Sequence, residues 1–187
     1  MEQRSNTEKM AAYMRLIKRE INGAVSESME RRGIHYPCNW GVSLHVVRRA
    51  AATFAPDHPF ARFLCGQQLR ELRLASYVIA DPEAVTADEL DFWGASVTNV
   101  EQAENLAFSL LSRTRLAGPL LERWCTPEAP EALRYCALLA LARMKTLTPG
   151  ERDEALARAA RFVEEDNPAL VRQAASLLRE KLTGEEE

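Results

Sequence analysis

Arginine residues recur along this sequence in segments whose apolar residues have helical spacing. If the second helices of successive pairs line one concave face, their guanidinium groups form a stripe that can bind phosphates. The candidate residues are Arg48, Arg49, Arg70, Arg73, Arg113 and Arg134. The alternative is a set of solvated arginines, some of them paired with carboxylates such as Glu71, Asp91 or Glu131.

Two carboxylates, Glu101 and Glu104, are three residues apart at the start of a predicted helix, so they share one face of it. A carboxylate on a surface that faces nucleic acid could stabilise a cationic sugar or orient a water molecule. Acidic residues are also favoured in the first helical turn because they complement the helix dipole. The spacing leaves both interpretations open.

Motifs of other enzyme classes are absent from the sequence. There is no glycine-rich nucleotide-binding motif, no H-E-x-x-H and no G-x-S-x-G. The four cysteines lack the paired spacing of zinc ligands, and the three histidines (His35, His45 and His58) are far apart. We therefore predict no metal site and no small-molecule cofactor, and we expect reduced cysteines that are mostly buried.

A succession of helices must position these residues. Ala, Leu, Arg and Glu dominate, and all four are strong helix formers. Capping residues and prolines mark most breaks, with capping boxes predicted at Thr86 and Thr148. The second helices of the predicted pairs begin near Ser43, Leu69, Asn99, Pro130 and Asn167.

The spacing between these helix starts predicts the fold class. It varies from 26 to 37 residues, which is irregular but lies in the range of helical repeat proteins. We predict an all-α fold, a right-handed α-α superhelix of HEAT-like helical repeats, with a plain helical bundle as the alternative. No linker divides the sequence, so residues 1–187 are predicted to form a single domain, with residues 184–187 as a frayed tail.

Charge limits the partners that the protein can bind. The formal net charge is -3, from 24 Lys or Arg and 27 Asp or Glu. Residues 83–112 carry six acidic and no basic side chains, whereas residues 113–145 carry six basic and three acidic ones. A nucleic-acid partner would therefore need local arginine patches. The sequence contains no secretory signal and no apolar window of membrane-spanning length, so we expect a cytoplasmic protein with no membrane partner.

Short motifs in a particular order resemble one known family. They are Asn22-Gly-Ala-Val-Ser-Glu-Ser-Met29, Gly33, Asn39-Trp-Gly-Val-Ser43, Pro56-Asp-His58, Arg70-Glu71 and Ile79-Ala-Asp-Pro82. Over roughly residues 7–145 the sequence is similar to the DNA alkylation repair family, the AlkD-like glycosylases built from HEAT-like repeats. It looks closest to a divergent, compact bacterial branch. The resemblance implies an α-solenoid whose concave, basic face holds duplex DNA.

In the active members of that family, cationic N3- or N7-alkylated purines are excised without flipping of the base into a pocket. The family's catalytic Asp then corresponds to Glu104 in this sequence, which is one methylene longer. The arginine that binds phosphate corresponds to Arg134 or to Tyr135, depending on one residue of register. A longer side chain can misplace a catalytic group by about an ångström, at a cost of roughly 100-fold in rate.

The resemblance also implies two tryptophans that contact the lesion sugar. Their positions fall on Val100 and near Leu177, and neither residue is aromatic. We therefore predict a DNA-binding HEAT-like repeat protein with weak or no base-excision activity, whose partner is duplex, damaged or branched DNA. The nucleic-acid-binding set is the six arginines above together with Tyr135. The alternatives are an active alkylpurine glycosylase that uses Glu104, and a helical scaffold that binds a protein partner.

Overall fold

The computed structural model describes residues 4–164 and 166–184. These residues form eleven α-helices and three short 3-10 helices, and they contain no strand. A single isolated parallel bridge joins Cys38 to Leu69. The predicted all-α class is therefore confirmed. The last three residues of the predicted frayed tail lie outside the described residues.

The chain divides into two compact units, residues 1–84 and residues 85–187. The first unit contains α1 (Asn6–Ile17), α2 (Gly23–Arg31), α3 (Leu44–Ala52), α4 (His58–Cys65) and α5 (Arg70–Ile79). Helix α5 packs against both α3 and α4, and α1 lies across α3 and α4. The buried phenol of Tyr13 donates to the main-chain oxygen of Glu71 at 3.3 Å, which ties α1 to α5.

The second unit contains α6 (Leu90–Gly94), α7 (Val100–Ser109), α8 (Ala117–Arg123), α9 (Glu131–Leu141), α10 (Pro149–Phe162) and α11 (Ala169–Thr183). Helices α7, α9 and α11 pack side by side in that order. Helix α10 packs against α8 and α11, so the unit has two helical layers. Helix α9 is buried continuously from Tyr135 to Leu141, as expected for the middle helix of a layer.

Local capping explains where most of these helices begin. The side chains of Ser43 and Asn99 accept hydrogen bonds from the first turns of α3 and α7. Thr148 forms the predicted capping box with Glu151 at the start of α10. The predicted starts of the second helices α3, α5, α7 and α9 are confirmed to within one residue, and α11 begins two residues after its predicted start.

The capping box predicted at Thr86 is wrong. Residues Ala87–Glu89 form a 3-10 helix, and the Thr86 side chain makes no capping hydrogen bond. The main-chain N–H of Glu89 donates to the Thr86 carbonyl at 3.1 Å, so the tighter turn already satisfies the amide that the hydroxyl would have capped. In the part of the chain that the structure describes, no helix is both long and apolar enough to cross a lipid bilayer.

Candidate nucleic-acid interface

The solvent side of α3 carries the most exposed pair of predicted arginines. Val47, Ala50 and Ala51 are buried toward the neighbouring helices of the first unit, and this fixes the rotation of α3. Arg48 and Arg49 therefore lie on the opposite side and are both exposed. His45, one turn earlier, is exposed beside them.

Arg70 does not lie on the surface predicted for it. It is only 3% exposed, and its Nη1 donates to the Val42 carbonyl at 2.8 Å and to Glu71 Oε1 at 3.1 Å. Its guanidinium neutralises a carboxylate in the interior, so it is removed from the candidate surface. Arg73, one turn later on α5, is partly exposed, and its Nε donates to the Gln67 carbonyl at 2.6 Å.

The buried ion pair holds the segment that leads into α3. Glu71 is fully buried and accepts hydrogen bonds from the main-chain N–H groups of Trp40 at 3.2 Å and Val42 at 3.1 Å. Buried charges are tolerated only when they are paired and hydrogen-bonded, and here Arg70 and two amides meet that need. We call the segment from Cys38 to Val42 the Trp40 loop. Its main chain is consequently held by hydrogen bonds to Arg70 and Glu71 of α5.

In the second unit, Glu104 of α7 contacts Tyr135 of α9. The phenol of Tyr135 donates to Glu104 Oε1 at 2.9 Å, and Tyr135 is only 8% exposed. Burial, together with the adjacent Glu104 carboxylate, raises the pKa of Tyr135 above its usual range. The phenol therefore stays protonated at neutral pH and remains a hydrogen-bond donor. Among the described residues, Tyr135 is the only hydrogen-bond partner of Glu104, so the second carboxylate oxygen has none.

The neighbouring residue Arg134 points to a different helix. The centre of its guanidinium lies 5.7 Å from the ring centroid of Phe162 in α10, so Tyr135, not Arg134, is the residue beside Glu104. Arg134 Nε is buried and has no hydrogen-bond partner among the described residues. Arg113 is exposed, and its Nη1 donates to the Ser109 carbonyl at 3.3 Å.

Arg143, just beyond α9, was not among the predicted site residues. Its guanidinium carbon lies 3.7 Å from the ring centroid of Phe108, one turn beyond Glu104 on α7. Its side chain makes no hydrogen bond or ion pair with another described residue, so its donors are available to a ligand. The signal that could have revealed it is spacing. Glu104 and Phe108 are four residues apart on α7, and Tyr135 of α9 is eight residues before Arg143, which lies just beyond that helix.

The two positions where the resemblance implies tryptophans are partly exposed. Val100 lies at the start of α7, and Leu177 lines a shallow cavity of about 510 Å³ on the surface of α11, next to Val163. Neither presents an aromatic ring to a ligand. Within residues 4–164 and 166–184, no group of three or more His, Cys, Asp or Glu side chains is arranged to hold a metal ion.

Comparison with known proteins identifies the fold. No protein-family model matches the sequence, and no curated protein matches it. One similar solved structure represents a new family of proteins related to the HEAT-like repeat DNA glycosylases with affinity for branched DNA structures. The TM-score is 0.75 at 14% sequence identity, over 92% of this chain and 74% of that one. The predicted HEAT-like repeat fold is thereby confirmed.

Proposed function

We propose that this chain is a DNA-binding HEAT-like repeat protein, related to the alkylpurine glycosylases, that binds branched and duplex DNA with weak or no base excision. The observation that carries the proposal is the adjacent, exposed pair Arg48 and Arg49 on the solvent side of α3. The similar fold of a protein family with affinity for branched DNA supports the same conclusion.

The distribution of charge supports a local interface. Residues 1–84 carry 12 Lys or Arg and 9 Asp or Glu, a formal charge of +3. Residues 85–187 carry 12 Lys or Arg and 18 Asp or Glu, a formal charge of -6. A phosphate backbone is therefore attracted to the first unit although the whole chain is anionic. In the second unit, Arg113, Arg134, Tyr135 and Arg143 remain candidate contacts.

The test is the salt dependence of DNA affinity, measured by fluorescence anisotropy with a labelled branched DNA and a duplex. Removing two phosphate contacts in the variant Arg48→Ser/Arg49→Ser lowers the slope of log affinity against log salt by about 2. The matched control is Arg31→Ser/Arg32→Ser, which removes another adjacent pair of exposed arginines from the same unit. The control should leave the slope nearly unchanged.

Two results would contradict the proposal. One is the absence of binding at low salt, which would favour the protein-binding scaffold instead. The other is an equal loss of affinity in both double variants, because that would mean that general charge, not the α3 surface, attracts the DNA.

A second candidate function, base excision, is favoured by the contact between Glu104 and Tyr135. Tyr135 fixes one carboxylate oxygen at 2.9 Å, and the other oxygen could stabilise a cationic sugar or position a water molecule. The assay is release of 7-methylguanine from methylated duplex DNA. If the activity exists, Glu104→Gln abolishes it, and Tyr135→Phe lowers it while leaving DNA affinity within about twofold, because the phenol contacts the carboxylate.

Release that does not rise above the uncatalysed background would eliminate this second function. Equal release by the wild type and Glu104→Gln would eliminate Glu104 as its carboxylate. DNA binding is measured separately, so neither result affects the leading proposal.

A further inference from the structure

Trp40 differs from the other two tryptophans of the chain. Trp93 is fully buried and Trp124 is 3% exposed, and both contribute to the core of the second unit. Trp40 lies in the Trp40 loop of the first unit and is partly exposed. In the part of the chain that is described, its indole N–H makes no hydrogen bond and its ring contacts no other aromatic ring or cation. The side chain is therefore partly accessible to a ligand.

The main chain of the Trp40 loop is held by hydrogen bonds to a buried ion pair, Arg70 and Glu71. Burial of two charges is unfavourable unless the remaining hydrogen-bonding groups are satisfied. Both oxygens of Glu71 are used for amides of the Trp40 loop, and Arg70 is used for the Val42 carbonyl. The buried pair thus serves to position the loop.

The opposite side of the loop is fixed by α2 and the residue before it. The Trp40 carbonyl accepts from Asn22 N at 2.8 Å, and the Asn39 carbonyl accepts from Ser26 Oγ at 3.2 Å. Gly41 has φ +67°, and a Cβ there would lie 2.0 Å from the Asn22 carbonyl oxygen, so only glycine fits. A side chain on such a pre-organised backbone loses little conformational entropy on binding.

The helix that carries Arg48 and Arg49 begins directly after the Trp40 loop. Ser43, the next residue after the Trp40 loop, caps α3, and α3 carries Arg48 and Arg49 on its solvent side. One continuous segment therefore carries a partly exposed aromatic residue and then two exposed arginines. Stacking of bases on aromatic rings beside a positively charged track for the backbone is how proteins bind unpaired nucleic acid.

We propose that Trp40 stacks on an unpaired base at the branch point of a DNA molecule while Arg48 and Arg49 hold neighbouring phosphates. This inference rests on the proposed DNA-binding function and specifies the DNA structure that is preferred. An indole stacks on any base, but in a continuous duplex both faces of each base are already covered by neighbouring bases. Trp40 therefore favours forked DNA over duplex DNA of the same length.

The test compares a forked DNA that has unpaired thymines at the branch with a fully paired duplex. Trp40→Ala weakens binding to the fork by about 5- to 160-fold, the range that corresponds to loss of one stacked base, and changes duplex affinity less than twofold. Trp40→Phe retains most of the fork preference because phenylalanine also stacks. The matched control is Leu16→Ala, which removes another apolar side chain of the first unit, 54% exposed, and leaves both affinities unchanged.

Intrinsic fluorescence provides a readout that a purely structural role would not affect. Because Trp93 and Trp124 are buried, forked DNA should quench mainly Trp40 emission in the wild-type protein. Trp40→Phe should remove that quenching. Circular dichroism tests whether each variant is folded. If Trp40→Ala does not fold, the quenching of the wild-type protein and the fork affinity of Trp40→Phe decide the question.

The outcomes separate this inference from the function on which it rests. If the wild-type protein binds neither DNA at low salt, the proposed function fails. If it binds DNA but Trp40 emission is unchanged and Trp40→Ala retains full affinity for the fork, the stacking role alone is overturned.

Discussion

At the scale of single residues, Arg70 and Glu71 show how burial sets the role of a charge. The two side chains are adjacent in the sequence and neutralise each other in the interior, with an Nη1–Oε1 distance of 3.1 Å. They also hydrogen-bond the main chain of Trp40 and Val42. The pair therefore contributes to the conformation of the loop, whereas Arg48 and Arg49 of α3 are exposed on the surface.

We predict that Glu71→Leu destabilises the protein by about 3–5 kcal/mol, because it leaves the Arg70 guanidinium buried without a counter-charge. The double variant Arg70→Met/Glu71→Leu removes that charge but should recover only part of the loss, since the amides of Trp40 and Val42 still lack an acceptor. Urea unfolding of both variants measures the difference. A double variant as stable as the wild type would show that the loop amides do not depend on Glu71.

Thiol reactivity is a second prediction at this scale. Cys38 is exposed, whereas Cys65, Cys125 and Cys136 are buried, in agreement with the expectation that most cysteines are interior. Burial raises the pKa of Cys125 to about 12, so this thiol stays protonated at neutral pH, and the thiolate is the reactive form. Ellman's reagent should modify one thiol rapidly in the native protein and all four in denaturant. Cys38→Ser should remove the rapid phase, and a rapid phase that persists would contradict the assignment.

At the scale of elements, capping hydrogen bonds determine where α10 begins. Thr148 Oγ1 accepts from Glu151 N at 3.3 Å, and Glu151 Oε2 accepts from Thr148 N at 2.8 Å. These bonds satisfy amides that the first turn of a helix otherwise leaves unpaired. The main-chain bond from Thr148 is the largest cause that lowers the pKa of Glu151.

We predict that Thr148→Ala destabilises the protein by about 1 kcal/mol at neutral pH, because the cap is lost. The folded-state pKa of Glu151 is depressed, so its contribution is present above the unfolded carboxyl pKa of about 4.3 and is lost as the pH falls through the folded value. Thr148→Ala keeps the main-chain bond to Glu151 and removes the hydroxyl that donates to Glu151 Oε2 at 2.8 Å, so the difference between variant and wild type should shrink slightly in acid. Thr146→Ala is the control, since Thr146 is exposed and caps no helix. A deficit that does not change with pH would exclude the carboxylate contribution.

At the scale of the whole molecule, the uneven charge affects association more than fold. The 18 acidic side chains of residues 85–187 outnumber the 12 basic ones, so on the proposed function they repel the phosphates of a DNA partner. Such long-range repulsion acts on the rate of encounter and is screened beyond about 8 Å at physiological salt.

On the proposed function, neutralising exposed carboxylates of the second unit should speed DNA binding. Glu122, Glu128 and Glu131 are exposed, and their triple change to Gln takes the formal charge of the chain from -3 to 0. Stopped-flow anisotropy should show a several-fold faster association at about 20 mM salt and little change at 200 mM. A gain that persists at high salt would indicate a local contact instead of long-range repulsion.

The sequence was sufficient for the helical class and for most helix starts. Caps such as Ser43, Asn99 and Thr148 act on amides two or three residues away, and apolar periodicity requires only neighbouring turns, so these features are local. The capping box predicted at Thr86 was wrong because a 3-10 turn and a capped α-helical turn begin with similar residues.

Exposure and pairing, by contrast, depended on packing between distant segments. Arg49 and Arg70 both lie on predicted helices and cannot be told apart from the sequence. In the structure Arg49 is exposed, whereas Arg70 is buried and donates to the carbonyl of Val42, 28 residues earlier in the chain. Glu104 meets Tyr135 across 31 residues because α7 and α9 pack side by side. Such contacts follow from the rotation of each helix about its axis, which the burial of its apolar face fixes only when its neighbours are in place.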